Sequence, residues 1–385
     1  MKIGINAHLL SGQATYRRAG IHHYIFQLLQ HLVLPEGDSA SLLVFTGKSA
    51  PLLTNPHLQV QTTAWPTERR LVRIAWEQLM WPAAAATHHL DLLHSLAFVP
   101  PLLTRRPTIV TVYDLSFALL PEQFPLWQRI YLNSQTRRSC RQARRVVAIS
   151  ESGRQDIHRL FGLPLERIDL VYPGVDEHFT PPSADAVTQF RQTHPLPPRF
   201  ILHVGTLQPR KNLPFLLHVF AQLRQDAAFA DVGLVLAGGK GWYYEEIFNQ
   251  VQALGVTDWV YFPGYVPDED LPYWYGAAAC LVFPSAYEGF GMPIIEAMAC
   301  GTPVIAANRS SIPEAVGEAG LLYDGEDAAA LLTHLRTLLT QPHLAYHLQQ
   351  KGFIHARRFS WAASGLALAQ VYQQALQTSP NGKTF

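Results

Sequence analysis

Residues 279–306 read ACLVFPSAYEGFGMPIIEAMACGTPVIA. The run CLVFPS is short and almost wholly apolar, the pattern of a strand buried on both faces, ending near Ser285. AYEGFG is a glycine-rich turn. Pro293 suits the first turn of a helix, where its missing N–H costs nothing, and Gly301 suits the residue just past that helix's end. TPVIAAN, 302–308, is a second apolar strand. Strand, tight turn, helix and strand again form the repeating unit of a parallel sheet covered by helices.

The same alternation extends outward from this unit. Upstream lie RFILHVGTL, VGLVLAGG and WVYFPGYV, and downstream lies GLLYD. An earlier series contains KIGINA, LLVFTG, LDLLHS, TIVTVYDL, RVVAIS and IDLVYPGV. Between the two series the prolines of FTPPSADAV and THPLPPRF flank one short helical stretch, which reads as a linker. Two doubly wound α/β domains are therefore expected, joined near residues 175–195. The chain's 385 residues suit two domains better than one. In open α/β sheets ligands bind beyond the carboxyl ends of the strands, so a cleft between two such sheets is the expected site.

Composition narrows the function classes. Apolar residues make up 48% and charged residues 15%, a globular mix with ample core. The net charge of +1 argues against a nucleic-acid partner. The charge is uneven: residues 1–190 hold 18 Lys and Arg against 14 Asp and Glu, and the rest carries an excess of three acids. Three cysteines, Cys140, Cys280 and Cys300, lack paired or zinc-type spacing, which points to a reducing compartment. MKIGINAHLL is too polar for a secretory leader, and no run of 18 apolar residues is present. A cytoplasmic location is expected.

Each candidate residue sits at a strand end. Glu288 and Glu296 bracket the turn containing Gly289, Phe290, Gly291 and Met292, ahead of a helix N-terminus whose amides and dipole favour an anion. The glycines let backbone approach a ligand closely. The carboxylates suit sugar or ribose hydroxyls; alternatively Glu296, placed in the first helical turn, complements the dipole and Glu288 is a solvated turn acid. In HVGTLQPRKN a strand ends at Gly205, and Arg210 and Lys211 precede a helix. That pair suits a diphosphate, or is an ordinary pair of surface cations. LAGGKGWYYEEI places Gly239 and two further glycines where backbone can meet a flat ring, or simply makes a tight turn. Asp268 and Asp270 have the spacing of a metal-binding acid pair, but helix capping is the plainer reading. In the first half, Gly20 precedes a helix, and Tyr113 and Asp114 end a strand. The adjacent pairs His22–His23 and His88–His89 cannot share a helical face, so no metal site is expected from them. ERRLVRIAWEQLMW, 68–81, joins arginines to Trp76 and Trp81 and reads either as a packed helix or as an anionic-membrane contact.

Together these stretches resemble the retaining glycosyltransferases of family 4, which have the GT-B fold of two Rossmann-like domains facing across a cleft. Glu288 and Glu296 with EGFGMPIIEAMACGTPVIA match the family's paired-glutamate motif. GTLQPRKN, LAGGKG, FPGYVPDEDLP and SSIPEAVGEAGLLYD follow in family order. The resemblance implies an acceptor-binding domain over 1–180, a nucleotide-sugar domain over 181–360, and a helix within 361–385 that crosses back to the first domain. It implies that Glu296 binds the nucleotide ribose and that Glu288 lies near the donor sugar. Backbone amides from Phe290 to Met292 would hold sugar and phosphate, while Lys211 and Arg210 would hold the diphosphate, with Gly20 contributing. Thr206 stands where many members carry arginine, and Tyr113 where many carry histidine, which shifts weight onto Arg210 and Asp114. The expected reaction is transfer of a hexose from a nucleotide diphosphate sugar, by front-face attack with retention, to a glycan or lipid-linked acceptor. No metal or cofactor is required. The likeness to bacterial mannosyltransferases of surface polysaccharide assembly implies GDP-mannose as donor, with peripheral contact at the inner face of the membrane. Two rivals remain: an inactive nucleotide-sugar-binding protein of this fold, and a nicotinamide-dependent oxidoreductase. The second lacks its G-x-G-x-x-G after the first strand.

Overall fold

A computed structural model describes residues 1–10, 20–35, 40–96 and 98–377. It divides into two compact units. The first runs from Met1 to Gly174 and includes the helix Trp361–Gln377; the second is Val175–Ser360. Val175 already belongs to the second unit. Its N–H donates to the Phe359 carbonyl at 3.1 Å, and it bridges Ser360.

Among the described residues the first unit holds a seven-stranded parallel sheet. Its strands are β1 (Lys2–Asn6), β2 (Ser41–Thr46), β3 (Leu58–Thr62), β4 (Leu92–Ser95), β5 (Thr108–Val112), β6 (Arg145–Ala148) and β7 (Ile168–Leu170), in the order β3-β2-β1-β4-β5-β6-β7. The second unit holds β8 (Arg199–Val204), β9 (Val232–Ala237), β10 (Val260–Gly264), β11 (Cys280–Phe283), β12 (Val304–Ala307) and β13 (Leu321–Tyr323), in the order β10-β9-β8-β11-β12-β13. All pairings are parallel, and helices surround both sheets.

Burial explains why most strands announce themselves in the sequence. Every residue of β5, β9, β11 and β12 is buried; β9, β11 and β12 read as continuous apolar runs, and β5 is interrupted only by Thr108 and Thr111. The edge strand β3, LQVQT, is exposed along nearly its whole length and carries no such signal. β10 tolerates Pro263 because it too is an edge strand.

The order of the strands locates the sites. Connections reverse direction at β1, flanked by β2 and β4, and at β8, flanked by β9 and β11. The carboxyl ends of β1 and β8 are therefore where each sheet opens to a ligand. In the first unit the helix Trp361–Gln377 packs over the sheet. The buried His94 ring bridges the Tyr372 hydroxyl and Thr111 Oγ1, each at 2.8 Å, and Arg144 donates to the Ala375 carbonyl at 2.6 Å.

Candidate functional site

At the end of β8 the chain leaves the sheet through Gly205 and forms a single helical turn, Pro209–Lys211. Asn212 then takes a left-handed conformation, φ 52°, and starts the helix Leu213–Arg224. Asparagine tolerates that conformation better than most residues, so the reversal is written into the sequence. The turn is stitched to the next strand end, where Ala286 N–H donates to the Arg210 carbonyl at 2.8 Å.

This geometry brings three of the expected residues together. Lys211 Nζ donates to Glu288 Oε1 at 2.6 Å, and Arg210 Nη1 donates to Glu288 Oε2 at 2.7 Å. Arg210 also reaches the Tyr287 carbonyl at 3.1 Å. With its oxygen turned toward the guanidinium, the Gln208 amide accepts from Arg210 Nε at 2.8 Å. Lys211 and Glu288 are only 6% and 7% exposed, so neither is a surface cation nor a solvated turn acid. Burial alone would push the Glu288 carboxyl upward; the two cations outweigh it and hold the group ionised, below the usual carboxylate range.

The loop that presents Glu288 is fixed by two adjacent serines that the sequence reading missed. Glu288 N–H donates to Ser310 Oγ at 2.9 Å. The Ser311 hydroxyl lies 2.9 Å from the Glu288 carbonyl and 3.2 Å from that of Phe290. The Phe290 ring is buried against Phe359, so Phe290 anchors the turn through its side chain. Gly291, at φ 107°, is the N-cap of the helix Met292–Ala299. A side chain at that φ would be strained, and the turn places the helix's first amides beside the Glu288 loop.

Glu296 is the fifth residue of this helix, beyond its first turn, which contains no acid. That corrects the expected placement and weakens the dipole reading, because the dipole's effect fades within the first turn. The buried Tyr275 hydroxyl, on the helix Leu271–Ala277, donates to Glu296 Oε2 at 2.8 Å and aims the carboxylate. Nothing in the sequence distinguished Tyr275 from the other aromatics of that apolar helix.

The glycines after β9 serve the neighbouring loop. A Cβ on Gly238 would stand 2.0 Å from the Gly205 carbonyl oxygen. Leu207 N–H donates to the Gly239 carbonyl, and Gly241 N–H to the Leu207 carbonyl, both at 2.9 Å. The close backbone approach read from LAGGKG is thus made to the β8 turn, bracing the loop that carries Arg210 and Lys211. Asp270 takes the N-cap position of the helix Leu271–Ala277, although its side chain makes no capping hydrogen bond. Among the described residues no three His, Cys, Asp or Glu cluster as metal ligands would.

The chain is similar to known proteins. Residues 186–354 match the family described as Glycosyl transferases group 1, and residues 18–179 match Glycosyltransferase Family 4. The chain belongs to the family 4, group 1 glycosyltransferases. It is 35% identical to the O-antigen chain mannosyltransferase B of Escherichia coli over 66% of each sequence. It matches little more than half the length of other curated relatives. Among solved structures, sucrose-phosphate synthase from Thermosynechococcus elongatus aligns with a TM-score of 0.79 at 24% identity, covering 98% of this chain and 100% of that one. Anabaena HepE in complex with UDP and glucose aligns at 0.75 and 22%, covering 97% and 99%. The architecture of this glycosyltransferase is the GT-B fold.

Its first unit carries the remaining candidates. Gly20, at φ 72°, is the N-cap of the helix Ile21–Gln30; residues 17–19 of the same stretch lie outside the described residues. Asp114 Oδ1 accepts from the Ser116 N–H at 3.0 Å and the Ser116 hydroxyl at 2.7 Å, starting a short helix. Tyr113 is buried, with its hydroxyl on the Leu96 carbonyl at 2.9 Å and its ring against Tyr24 and Phe98. It packs as a core residue.

Beyond the end of β1 lies a polar network that the sequence did not reveal. Asn6 donates to Glu77 Oε1 at 3.1 Å, His8 Nδ1 lies 3.1 Å from Thr67 Oγ1, and the His8 ring meets Trp76 edge-on. Burial raises the Glu77 carboxyl to about 7 against the opposing pull of Arg73, and burial lowers His8 to about 4. Trp76 and Trp81, read as membrane-facing candidates, are 5% and 0% exposed and belong to the core. The apolar groups that reach the surface there are Leu71, at 80%, Leu79 and Met80. Arg70 spans from this segment to the rings of Trp127, at 5.2 Å, and Tyr131. No helix among the described residues is long and apolar enough to cross a membrane.

Proposed function

We propose that this glycosyltransferase moves a hexose from a nucleotide diphosphate sugar to a glycan or lipid-linked acceptor, with retention at the anomeric carbon. The observation that carries the reading is the buried cluster of Lys211, Arg210 and Glu288 beside a helix N-terminus, at the strand ends where the second sheet opens. As the bond from the anomeric carbon to the diphosphate breaks, the electron pair leaves with the diphosphate and positive charge gathers on the sugar. Lys211, Arg210 and the first amides after Gly291 stabilise the leaving oxygen. Front-face attack forms the new bond as the acceptor hydroxyl's oxygen reaches the anomeric carbon; its proton passes to the departing phosphate. The paired cations supply the charge that a divalent metal supplies elsewhere, so turnover is expected to persist after chelation, without a cofactor. Glu296, aimed by Tyr275, accepts from the ribose hydroxyls.

Mannose, carried by GDP, is the sugar we favour, because the similar Escherichia coli protein is named an O-antigen chain mannosyltransferase. The acceptor is assigned to the first unit, where Asp114 closes the end of β5. Exposed Leu71 and Trp127, joined by Arg70, form the surface proposed to rest on the anionic inner face of the membrane. The deciding experiment screens GDP-mannose, UDP-glucose and other nucleotide sugars for donor hydrolysis, and then reads the anomeric configuration of the product. The expected result is turnover of one donor with retention. Absence of turnover across the panel, or inversion, would reject the reading.

A further inference from the structure

The reaction as drawn leaves one buried group of the second unit unused. His203, on β8, is fully buried, and its ring stacks on Phe283 at 5.9 Å. Its Nδ1 lies 3.1 Å from the Val282 carbonyl oxygen. A carbonyl only accepts, so Nδ1 carries the proton and Nε2 keeps a bare lone pair. That Nε2 is buried and meets no protein donor. Such an acceptor is costly to bury, and a native structure that keeps one invites an explanation.

The surroundings of Nε2 suggest what it is for. A Cβ built on Gly205 would lie 3.3 Å from Lys211 Nζ and 3.4 Å from His203 Nε2. Both nitrogens therefore border the same small space over Gly205. Burial and the nearby Lys211 charge lower the imidazole to about 3, so it stays neutral at any working pH and cannot repel the ammonium. An ammonium offers three hydrogens, one of which goes to Glu288 Oε1.

We propose that His203 is the positioning residue of Lys211: its Nε2 lone pair accepts a hydrogen bond from the Lys211 ammonium as that group turns from Glu288 toward the donor diphosphate. The inference rests on the nucleotide-sugar reading above. Without this acceptor, the ammonium would pivot on a long, flexible stem, and its charge would be poorly aimed.

The test is a double-mutant cycle on the full chain, with GDP and UDP affinities measured by calorimetry. The proteins are wild type, H203F, H203Q, K211M and the H203F/K211M pair. Wild type binds at least one of the two diphosphates. H203F weakens that binding about tenfold, the scale of one hydrogen bond to a charged group. H203Q, which returns an acceptor oxygen near the lost nitrogen, recovers most of the loss. In the K211M background H203F costs nothing further. A full tenfold loss in that background, or wild-type affinity in H203F, overturns the assignment; if H203F does not fold, H203M carries the same comparison. A wild type that binds neither diphosphate overturns the nucleotide-sugar reading and this inference with it, an outcome distinct from the others.

Discussion

Replacing Glu288 by glutamine tests the buried cluster most directly. The carboxylate takes hydrogen bonds of 2.6 Å from Lys211 and 2.7 Å from Arg210. Glutamine keeps the shape and removes the negative charge that both cations share. Removing one partner of a buried pair costs about 3–5 kcal/mol. For a unit the size of Val175–Ser360 each kcal/mol lowers Tm by roughly 2–4 °C, so E288Q should melt about 6–20 °C below wild type. The acid limb should also change. Because the folded carboxyl titrates below its ordinary value, its stabilisation is complete above the ordinary range and is lost as pH falls through the folded value. E288Q should lose that part of the acid dependence. GDP should raise the Tm of E288Q by more than it raises wild type, because its phosphates restore the missing negative charge. Differential scanning fluorimetry from pH 3 to 8, with and without GDP, reads all three effects. An E288Q melt within a degree of wild type at pH 7, with an equal GDP shift, would refute the claim that this carboxylate is the counterion of the site.

The other predictions follow from the same contacts. K211A should lower kcat/KM by at least tenfold in a donor-turnover assay; wild-type kinetics would remove Lys211 from the phosphate site. Y275F should weaken nucleotide binding a few-fold and E296A more, measured by calorimetry, and equal affinities for all three proteins would detach Glu296 from the ribose. E77Q should be more stable than wild type by about 3 kcal/mol above pH 7 and no different below about pH 4.5, since wild type must give up a proton held to about 7; a pH-independent difference in urea midpoints would contradict this. Wild type should cosediment with phosphatidylglycerol vesicles and not with phosphatidylcholine vesicles, and L71D/W127D should stay in the supernatant; equal pelleting of both proteins would place the membrane contact elsewhere.

How far the sequence could be read depended on what burial does to each residue type. Strands such as β9, VGLVLA, are covered on both faces and so are apolar throughout. The edge strand β3 needs no such composition and left no trace. Glu288, Arg210 and Lys211 could each be named from their strand-end positions. Their mutual pairing could not, because it depends on β8 and β11 being neighbours while 77 residues separate Lys211 from Glu288. The glycines of LAGGKG signalled close backbone approach correctly, but not what approaches. Trp76 and Trp81 left two readings open, a packed helix or a membrane contact, and only the packing decides that the indoles face in while Leu71 faces out. Ser310, Ser311 and Tyr275 carry no spacing signal, since each acts through a partner distant in the chain.

Electrostatics explains why a site for a diphosphate should contain a buried acid at all. A buried cation is costly without a counter-charge. Glu288 supplies that charge to Lys211 before any ligand arrives, and it accepts from Arg210 through its other oxygen. A carboxylate brings one negative charge, and a diphosphate brings more. On the proposed reading the incoming phosphates therefore compete for N–H groups that are already gathered and already desolvated. The donor then does not have to order Lys211 and Arg210 as it binds, and Glu288 is released to meet the sugar's hydroxyls on the other side of the breaking bond. One carboxylate would thus serve as counterion in the empty site and as hydroxyl acceptor in the filled one, which accounts for the acid beside the glycine turn where a phosphate loop alone would have no use for it.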